Sequence, residues 1–285
     1  MLLVPAGSQN VLAGPLCVPP PSDMISWWPG DDNANDIVDA NDGVLENGAF
    51  FAAGKVGSGF GFDGVGDQVR VPHNANQNPG GQMTVDAWIN PDLIGDGAQP
   101  IINKRGAGNI NAGGFTFETT GIFGLLFSFA TPDGIFALST GSFVLTEDVF
   151  QHVAATYDGA MMRIYVNGVV VASQAASGTI LTTTADLVIG RNSVQPLSVF
   201  DGIIDEVEFF NRGLSTSEIQ DIYIADDEGK CKTPNEPPRV VGGEIIPIES
   251  TALLLAGVQT TAIWMFPVIA GAAGATAFYL KSRKN

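Results

Sequence analysis

Between residues 24 and 212 the chain is a succession of short β-type segments separated by Gly, Asn, Asp and Pro, with no run of amphipathic helix among them. The segments "GQMTVDAWINP", "GGFTFETTG", "IFGLLFSFA", "FQHVAATYDG", "MMRIYVNGVVVAS" and "TADLVIGRN" each fit a strand of about four to eight residues. In the first of them Met83, Val85, Ala87 and Ile89 fall on one face and Thr84, Asp86 and Trp88 on the other, because side chains alternate along a strand. Asp158-Gly159 and Asn167-Gly168 stand at two of the breaks, and such pairs supply the positive φ that tight hairpins need. Many short strands at spacings of roughly 8 to 12 residues predict an all-β fold, two antiparallel sheets packed as a jelly-roll sandwich. One helix is expected, near 215–224. Ser215 with Glu218 three residues later forms a capping box, followed by Ile219, Ile222 and Tyr223 on one side.

Thirteen basic residues stand against thirty acidic ones, a net charge of -17. Lys281, Arg283 and Lys284 lie in the last five positions, so the body is more acidic still, at 10 minus 30, or -20. Such a surface repels phosphate backbones and excludes nucleic acid as a partner. The two cysteines, Cys17 and Cys231, have no Cys/His cluster around them, which excludes a zinc site. Paired, they would tie the ends of the β region together across 214 residues, worth roughly 5 kcal/mol on a chain-entropy argument, and would imply an oxidising compartment. Unpaired, they are two partly buried thiols.

Between Glu249 and Lys281 run 31 residues without a charge, against the roughly 20 needed to cross a bilayer as a helix. Trp264 and Tyr279 suit interfacial anchors, and "KSRKN" places the C-terminus in the cytosol by the positive-inside bias. The expected organisation is a Pro-rich lead-in at 1–22, a β domain at 23–226, a charged Pro/Gly linker at 227–248, a transmembrane helix at 249–280 and a basic cytosolic tail at 281–285. "MLLVPAGSQNVLAGPLC" has no basic residue ahead of an apolar run. An outward-facing domain therefore leads us to expect an export signal upstream of Met1.

"SWWPGDDNANDIVDANDGVLENGAFFAAGKVGSGFGFDGVGDQVRVP", "MTVDAWINP", "FQHVAATYDGAMMRIYVNGVVVAS" and "FDGIIDEVEFFNRGLSTSEIQDIY" together resemble a laminin-G-like jelly-roll domain of the concanavalin A-like lectin/glucanase superfamily. The C-terminal run is similar to membrane anchors of archaeal surface proteins. The resemblance implies two packed antiparallel sheets and a function among glycan binding, protein adhesion and accessory roles beside polysaccharide-degrading enzymes; fold does not choose among these. Glucanases of the superfamily carry paired carboxylates in an E-x-D-x-x-E arrangement or close to it. Here Asp205 and Glu208 would fill the last two places, but Ile203 stands in the first. No enzyme activity is expected. His73 and His152 read as ordinary surface or sheet histidines, and "GFGFDG" reads as a strand ending in a turn, since no helix follows it.

The loop "GDDNANDIVDANDG" gathers oxygen-bearing side chains in the number a calcium ion requires. Because related domains often carry a cation where the first and last strands meet, the expectation is a structural Ca2+ held by Asp31, Asn33, Asp36 and Asp205, with the Ala34 carbonyl as a further donor. The alternative is an Asx-rich turn held by side-chain-to-backbone hydrogen bonds. In "DGIIDEVEFF" (201–210), regular alternation would put Asp205 with the apolar residues Ile203, Val207 and Phe209 and leave Glu206 and Glu208 facing solvent. For a sugar, an aromatic face flanked by hydrogen-bonding groups is needed. Asp86, Trp88, Arg163 and Tyr165 form the expected platform, unless the two aromatic residues merely cover the sheet. The whole reads as a non-enzymatic, single-pass cell-membrane protein with its domain outside, whose partner is an extracellular glycan or a surface protein; the alternatives are a structural or protein-binding module of the cell envelope without sugar binding and, third, a glycoside hydrolase-like enzyme.

Overall fold

A computed structural model describes residues 17–232 apart from 93, 95–96, 107–111, 122 and 194–197. Its strands are β1 (Met24–Trp28), β2 (Val44–Glu46), β3 (Phe50–Ala53), β4 (Ser58–Asp63), β5 (Gln68–Val71), β6 (Met83–Pro91), β7 (Gln99–Arg105), β8 (Gly114–Thr120), β9 (Gly124–Thr131), β10 (Gly134–Ser139), β11 (Gln151–Tyr157), β12 (Met161–Val166), β13 (Val169–Ala175), β14 (Leu187–Ile189) and β15 (Asp201–Phe210). An eight-stranded sheet runs β13-β12-β11-β6-β15-β4-β3, with β1 also paired to β15. A seven-stranded sheet runs β10-β9-β8-β7-β14-β5-β2. The named strands pair antiparallel throughout, as in β6 with β11 and β15, giving the expected two-sheet antiparallel sandwich.

Local chemistry explains the elements. Asn167 and Gly168, with φ of 49° and 74°, make the two-residue hairpin turn between β12 and β13. Val85, Ala87 and Ile89 of β6 point into the core, opposite the outward Thr84, Asp86 and Trp88. Between the sheets, Phe115 of β8 stacks on Phe209 of β15 at a centroid distance of 5.6 Å. The helix α1 (Thr216–Ile224) starts at the Ser215/Glu218 capping box. Its Ile219 and Ile222 pack with Ala154, Tyr165, Phe210 and Leu214 in a second apolar cluster, so α1 covers the outer face of the eight-stranded sheet.

The two ends of the β domain meet. Cys17 and Cys231 form a disulfide, Cα atoms 5.0 Å apart, and Val18 forms a parallel bridge to Lys230. The linker expected to begin at 227 therefore starts with an ordered strap through residue 232. Among the described residues no helix is long and apolar enough to cross a membrane. The expected transmembrane segment at 249–280 and the tail at 281–285 lie outside the described residues.

Candidate functional site

The outer face of the eight-stranded sheet carries Asp86, Trp88, Arg163 and Tyr165, together with Asp205, and around β15 and α1 it is sealed. Trp88 is 3 % exposed. It packs edge-on against His152 at 5.4 Å and against Tyr223 of α1 at 5.9 Å, with the Lys55 ammonium 5.0 Å above its ring. Tyr165 is buried beneath α1, its hydroxyl 3.3 Å from Thr216 Oγ1. Asp86 Oδ2 lies 3.1 Å from His152 Nε2, both side chains out of water. Arg163 remains partly exposed and pairs with Asp158 at 2.6 Å. The expected platform of Asp86, Trp88, Arg163 and Tyr165 is thus corrected: the aromatic residues cover the sheet, because α1 and the 54–58 turn lie over them.

The faces of β15 are corrected as well. Glu206 adopts a φ of 52° within a bulge between Asp205 and Glu208 against β6. A bulge inserts one residue and resets the alternation. Ile204, Val207 and Phe209 therefore point to the core, while Asp205, Glu206 and Glu208 all point outward, and none of them reaches solvent. Asp205 Oδ2 accepts from the backbone amides of Lys55 (2.7 Å) and Val56 (2.9 Å), and its Oδ1 from Glu206 (2.8 Å). Burial, and Glu206 beside it, push the Asp205 carboxyl up to about 8 against the pull of those amides and of Lys232. Glu208 is also held well up, by burial and then by Asp86.

Two lysines from the strap supply the positive charge. Lys230 Nζ lies 2.6 Å from Glu208 Oε1 and 4.0 Å from Glu206 Oε2. Lys232 Nζ lies 2.7 Å from Glu206 Oε1 and 2.5 Å from Asp31 Oδ2. Burial pulls the Lys230 ammonium down, but Glu208, Glu206 and Asp86 overcome it and hold it protonated above its usual range. Trp27 completes the shell, donating Nε1–H to Glu206 Oε2 at 2.8 Å.

Asp31 and Asp205 do converge on one turn, since Asp31 Oδ1 accepts from Ser58 N at 3.2 Å. The remaining expected calcium ligands serve backbone amides. Asp36 Oδ1 accepts from Trp27 N and Val38 N, and Asn33 Oδ1 accepts from Asn35 N. Among the described residues no group of three or more His, Cys, Asp or Glu side chains is disposed to hold a metal ion. Asp31 and Asp205 direct their oxygens to N–H groups and the cation between Asp31 and Glu206 is the chain's own ammonium, whereas Asp36 Oδ2 is buried without a partner.

The seven-stranded sheet presents different chemistry. Residues directly opposite across strands share a face, and the register aligns Ala137, Ser128, Thr116, Asn103, Val188, Arg70 and Val44 in a single row across all seven strands. The row is roughly 29 Å long at the usual strand spacing and holds no aromatic residue. Its middle is roofed. Asn103, 0 % exposed, donates Nδ2–H to the carbonyls of Val188 and Arg191, and its Oδ1 accepts from Ser193 Oγ at 3.1 Å. At the Arg70 end lies a depression of about 330 Å³ lined by Gln68, Arg70, Asp186, Val188, Arg191, Asn192 and Ser193. Arg70 pairs with Glu46 (2.7 Å) and Asp186 (3.3 Å), and Arg191 gives one N–H to the Gly66 carbonyl at 3.2 Å. Planar amides and guanidinium groups over an apolar Val188 floor can donate to and accept from hydroxyls. Sequence patterning missed this site because its residues come from β5, β14 and the loops on either side of β14, and only strand register unites them.

One sheet is covered by a helix, and the other carries a mixed polar and aliphatic row that ends in a depression. A laminin G family model described as concanavalin A-like lectin/glucanases superfamily matches residues 63–220, and the chain belongs to this family. No curated protein sequence matches it. Among solved structures it is similar to domain 4 of AbnA, a GH43 extracellular arabinanase from Geobacillus stearothermophilus, in complex with arabinotriose, at 17% identity and a TM-score of 0.58, covering 70% of this chain and 97% of that one. It is also similar to the ligand binding domain of botulinum neurotoxin serotype D in complex with N-acetylneuraminic acid, at 16% identity and a TM-score of 0.54, covering 71% and 50%. A Trypanosoma rangeli sialidase follows, at 19% and 0.54, covering 72% of this chain and 33% of that one. The chain thus spans half of the toxin domain and a third of the sialidase. At these identities the likeness is one of fold.

Proposed function

We propose that this protein is a non-enzymatic glycan-recognition module of the cell surface, anchored by its C-terminal apolar segment, and that it holds sugar in the depression at the Arg70 end of the seven-stranded sheet. The depression itself carries the reading: it joins Gln68, Arg70, Asp186, Arg191, Asn192 and Ser193 over Val188, a convergence of polar groups in a concavity. Family membership supports it, as do the arabinotriose and N-acetylneuraminic acid of the similar structures. Against catalysis stands the shortage of acids. Glycoside hydrolysis uses two carboxyl groups, and Asp186 is the sole carboxylate among the described residues lining the depression. That carboxylate is already bound to Arg70 and to the His73 amide. The uncharged stretch at 250–280 supports the anchor.

A glycan array probed with the full-length chain tests the reading, followed by titration of any hit against Arg191→Ala. Binding that Arg191→Ala weakens is the expected result. Silence across neutral and acidic glycans would favour a protein partner instead.

A further inference from the structure

The strap places two ammonium groups on either side of a disulfide half. Lys230 and Lys232 flank Cys231, and both reach carboxylates of the β15 bulge. The backbone of this segment is lightly held. Cys231 N donates to Val18 O (2.9 Å), Val18 N donates to Gly229 O (3.1 Å), and Gly229 N donates to Ala225 O (3.1 Å). Among the described residues its pairing is one isolated bridge, between Val18 and Lys230. Val18 is itself next to Cys17, so strap and lead-in hold each other through the bond they share. Beneath them lie Asp205, Glu206 and Glu208, with Asp86 behind, all buried.

We propose that the Cys17–Cys231 disulfide is the latch of a redox-sensitive counter-ion strap: oxidised, it fixes Lys230 and Lys232 against acids that the fold buries, and reduced, it lets them leave. A dithiol, small or protein-borne, is the reductant. The Cys17–Cys231 S–S bond breaks, each sulfur gains a proton, and the dithiol closes into its own disulfide, two electrons and two protons passing in all. The released strap leaves Glu206 without its cations and removes from Glu208 the ammonium that favours its ionised form, so these buried carboxyls must either carry an uncompensated charge or take up a proton, and both are destabilising. Reduction therefore opens the outer face of the eight-stranded sheet around β15 and α1, where an ordinary cross-link would only lengthen the unfolded chain's freedom. This inference concerns the face opposite the proposed glycan site and does not rest on that proposal.

The test is a double-mutant cycle on the full-length chain, crossing Cys17→Ser/Cys231→Ser with Glu208→Gln and reading thermal midpoints. A pure chain-entropy cross-link is indifferent to Glu208, so the two changes would add, and additive shifts overturn the proposal. The latch predicts opposite signs. Glu208→Gln lowers the midpoint of the disulfide-bonded protein and raises that of the cysteine-free one, with a coupling of at least about 3 °C, the shift typical of a modest free-energy change in a domain this size. A cysteine-free chain that folds only with Glu208→Gln counts as support. If neither cysteine-free form folds, hydrogen exchange of the wild-type chain under dithiothreitol decides. Faster exchange at 205–208 and 229–232, with Phe115–Phe129 still protected, is expected; unchanged exchange at the strap overturns the latch.

Discussion

Lys230 and Glu208 form an ion pair of 2.6 Å with the two side chains only 2% and 0% exposed. Breaking a buried pair from one side leaves the other charge stranded, a loss of about 3–5 kcal/mol, whereas replacing both partners by apolar groups of similar volume is often neutral. Lys230→Met is therefore expected to lower the unfolding free energy by an amount in that range, read as a fall in the urea midpoint with the slope unchanged. Adding Glu208→Met should restore most of it. Equal losses in the single and double variants would mean that the pair carries no coupling.

How much of this was legible in the sequence follows from how each feature is encoded. Strands, the Asn167-Gly168 turn and the Ser215/Glu218 cap are local, and all three were readable from neighbouring residues. The direction of the β15 acids was not. Alternation fails at Glu206, whose positive φ belongs to a residue type that rarely adopts it, so a period-two reading placed Glu208 in water when it lies under Lys230. The strap and the row from Ala137 to Val44 depend on residues far apart in the chain. Nothing in the spacing of Lys230 or Arg191 announces a partner 24 residues upstream, in Glu206, or across a sheet.

Calcium provides a second prediction. The oxygens of Asp31, Asp36 and Asp205 accept from backbone amides, and Asp31 also from Lys232. Asp36 Oδ2 alone of these oxygens has no donor, so a divalent ion would have to displace the amides and the Lys232 ammonium before gaining a second carboxylate ligand from Asp31 or Asp205. The melting midpoint of the oxidised protein should be the same with calcium and with a chelator. A rise of several degrees with calcium, together with stoichiometric metal by mass analysis, would show that the loop rearranges to bind it.

Stability should peak in mildly acidic solution. Asp205 is held up to about 8 in the fold, against an unfolded value of about 3.9. Between these values the native state keeps a proton the unfolded state loses, so stability falls as pH rises through that window. Glu218 behaves oppositely. Bonding to Arg212 lowers it from 4.5 to about 2, so its contribution is present above the unfolded value and is lost as pH falls toward 2. Urea midpoints from pH 2 to 9 should trace a maximum near pH 4–5, and Glu218→Gln should flatten the acid limb while leaving the alkaline limb alone. A profile rising steadily to pH 8 would contradict the state assigned to Asp205.

The two sheet faces predict opposite outcomes for two substitutions. Trp88→Ala removes a buried ring that His152, Tyr223 and Lys55 pack against, at a cost of about 3–5 kcal/mol of stability, yet it lies on the sealed sheet. Glycan affinity of the folded variant should be unchanged. Asn103→Ala changes none of the depression's lining residues but removes the amide that ties Val188, Arg191 and Ser193 together. Net hydrogen bonds of about 1 kcal/mol each then no longer hold Arg191 and Ser193 in position, and affinity should drop roughly tenfold for about 1.4 kcal/mol lost. Calorimetric titration below the melting transition of each variant reads both effects. Weaker binding by Trp88→Ala alone would move the ligand to the face that α1 covers, and would require that helix to lift.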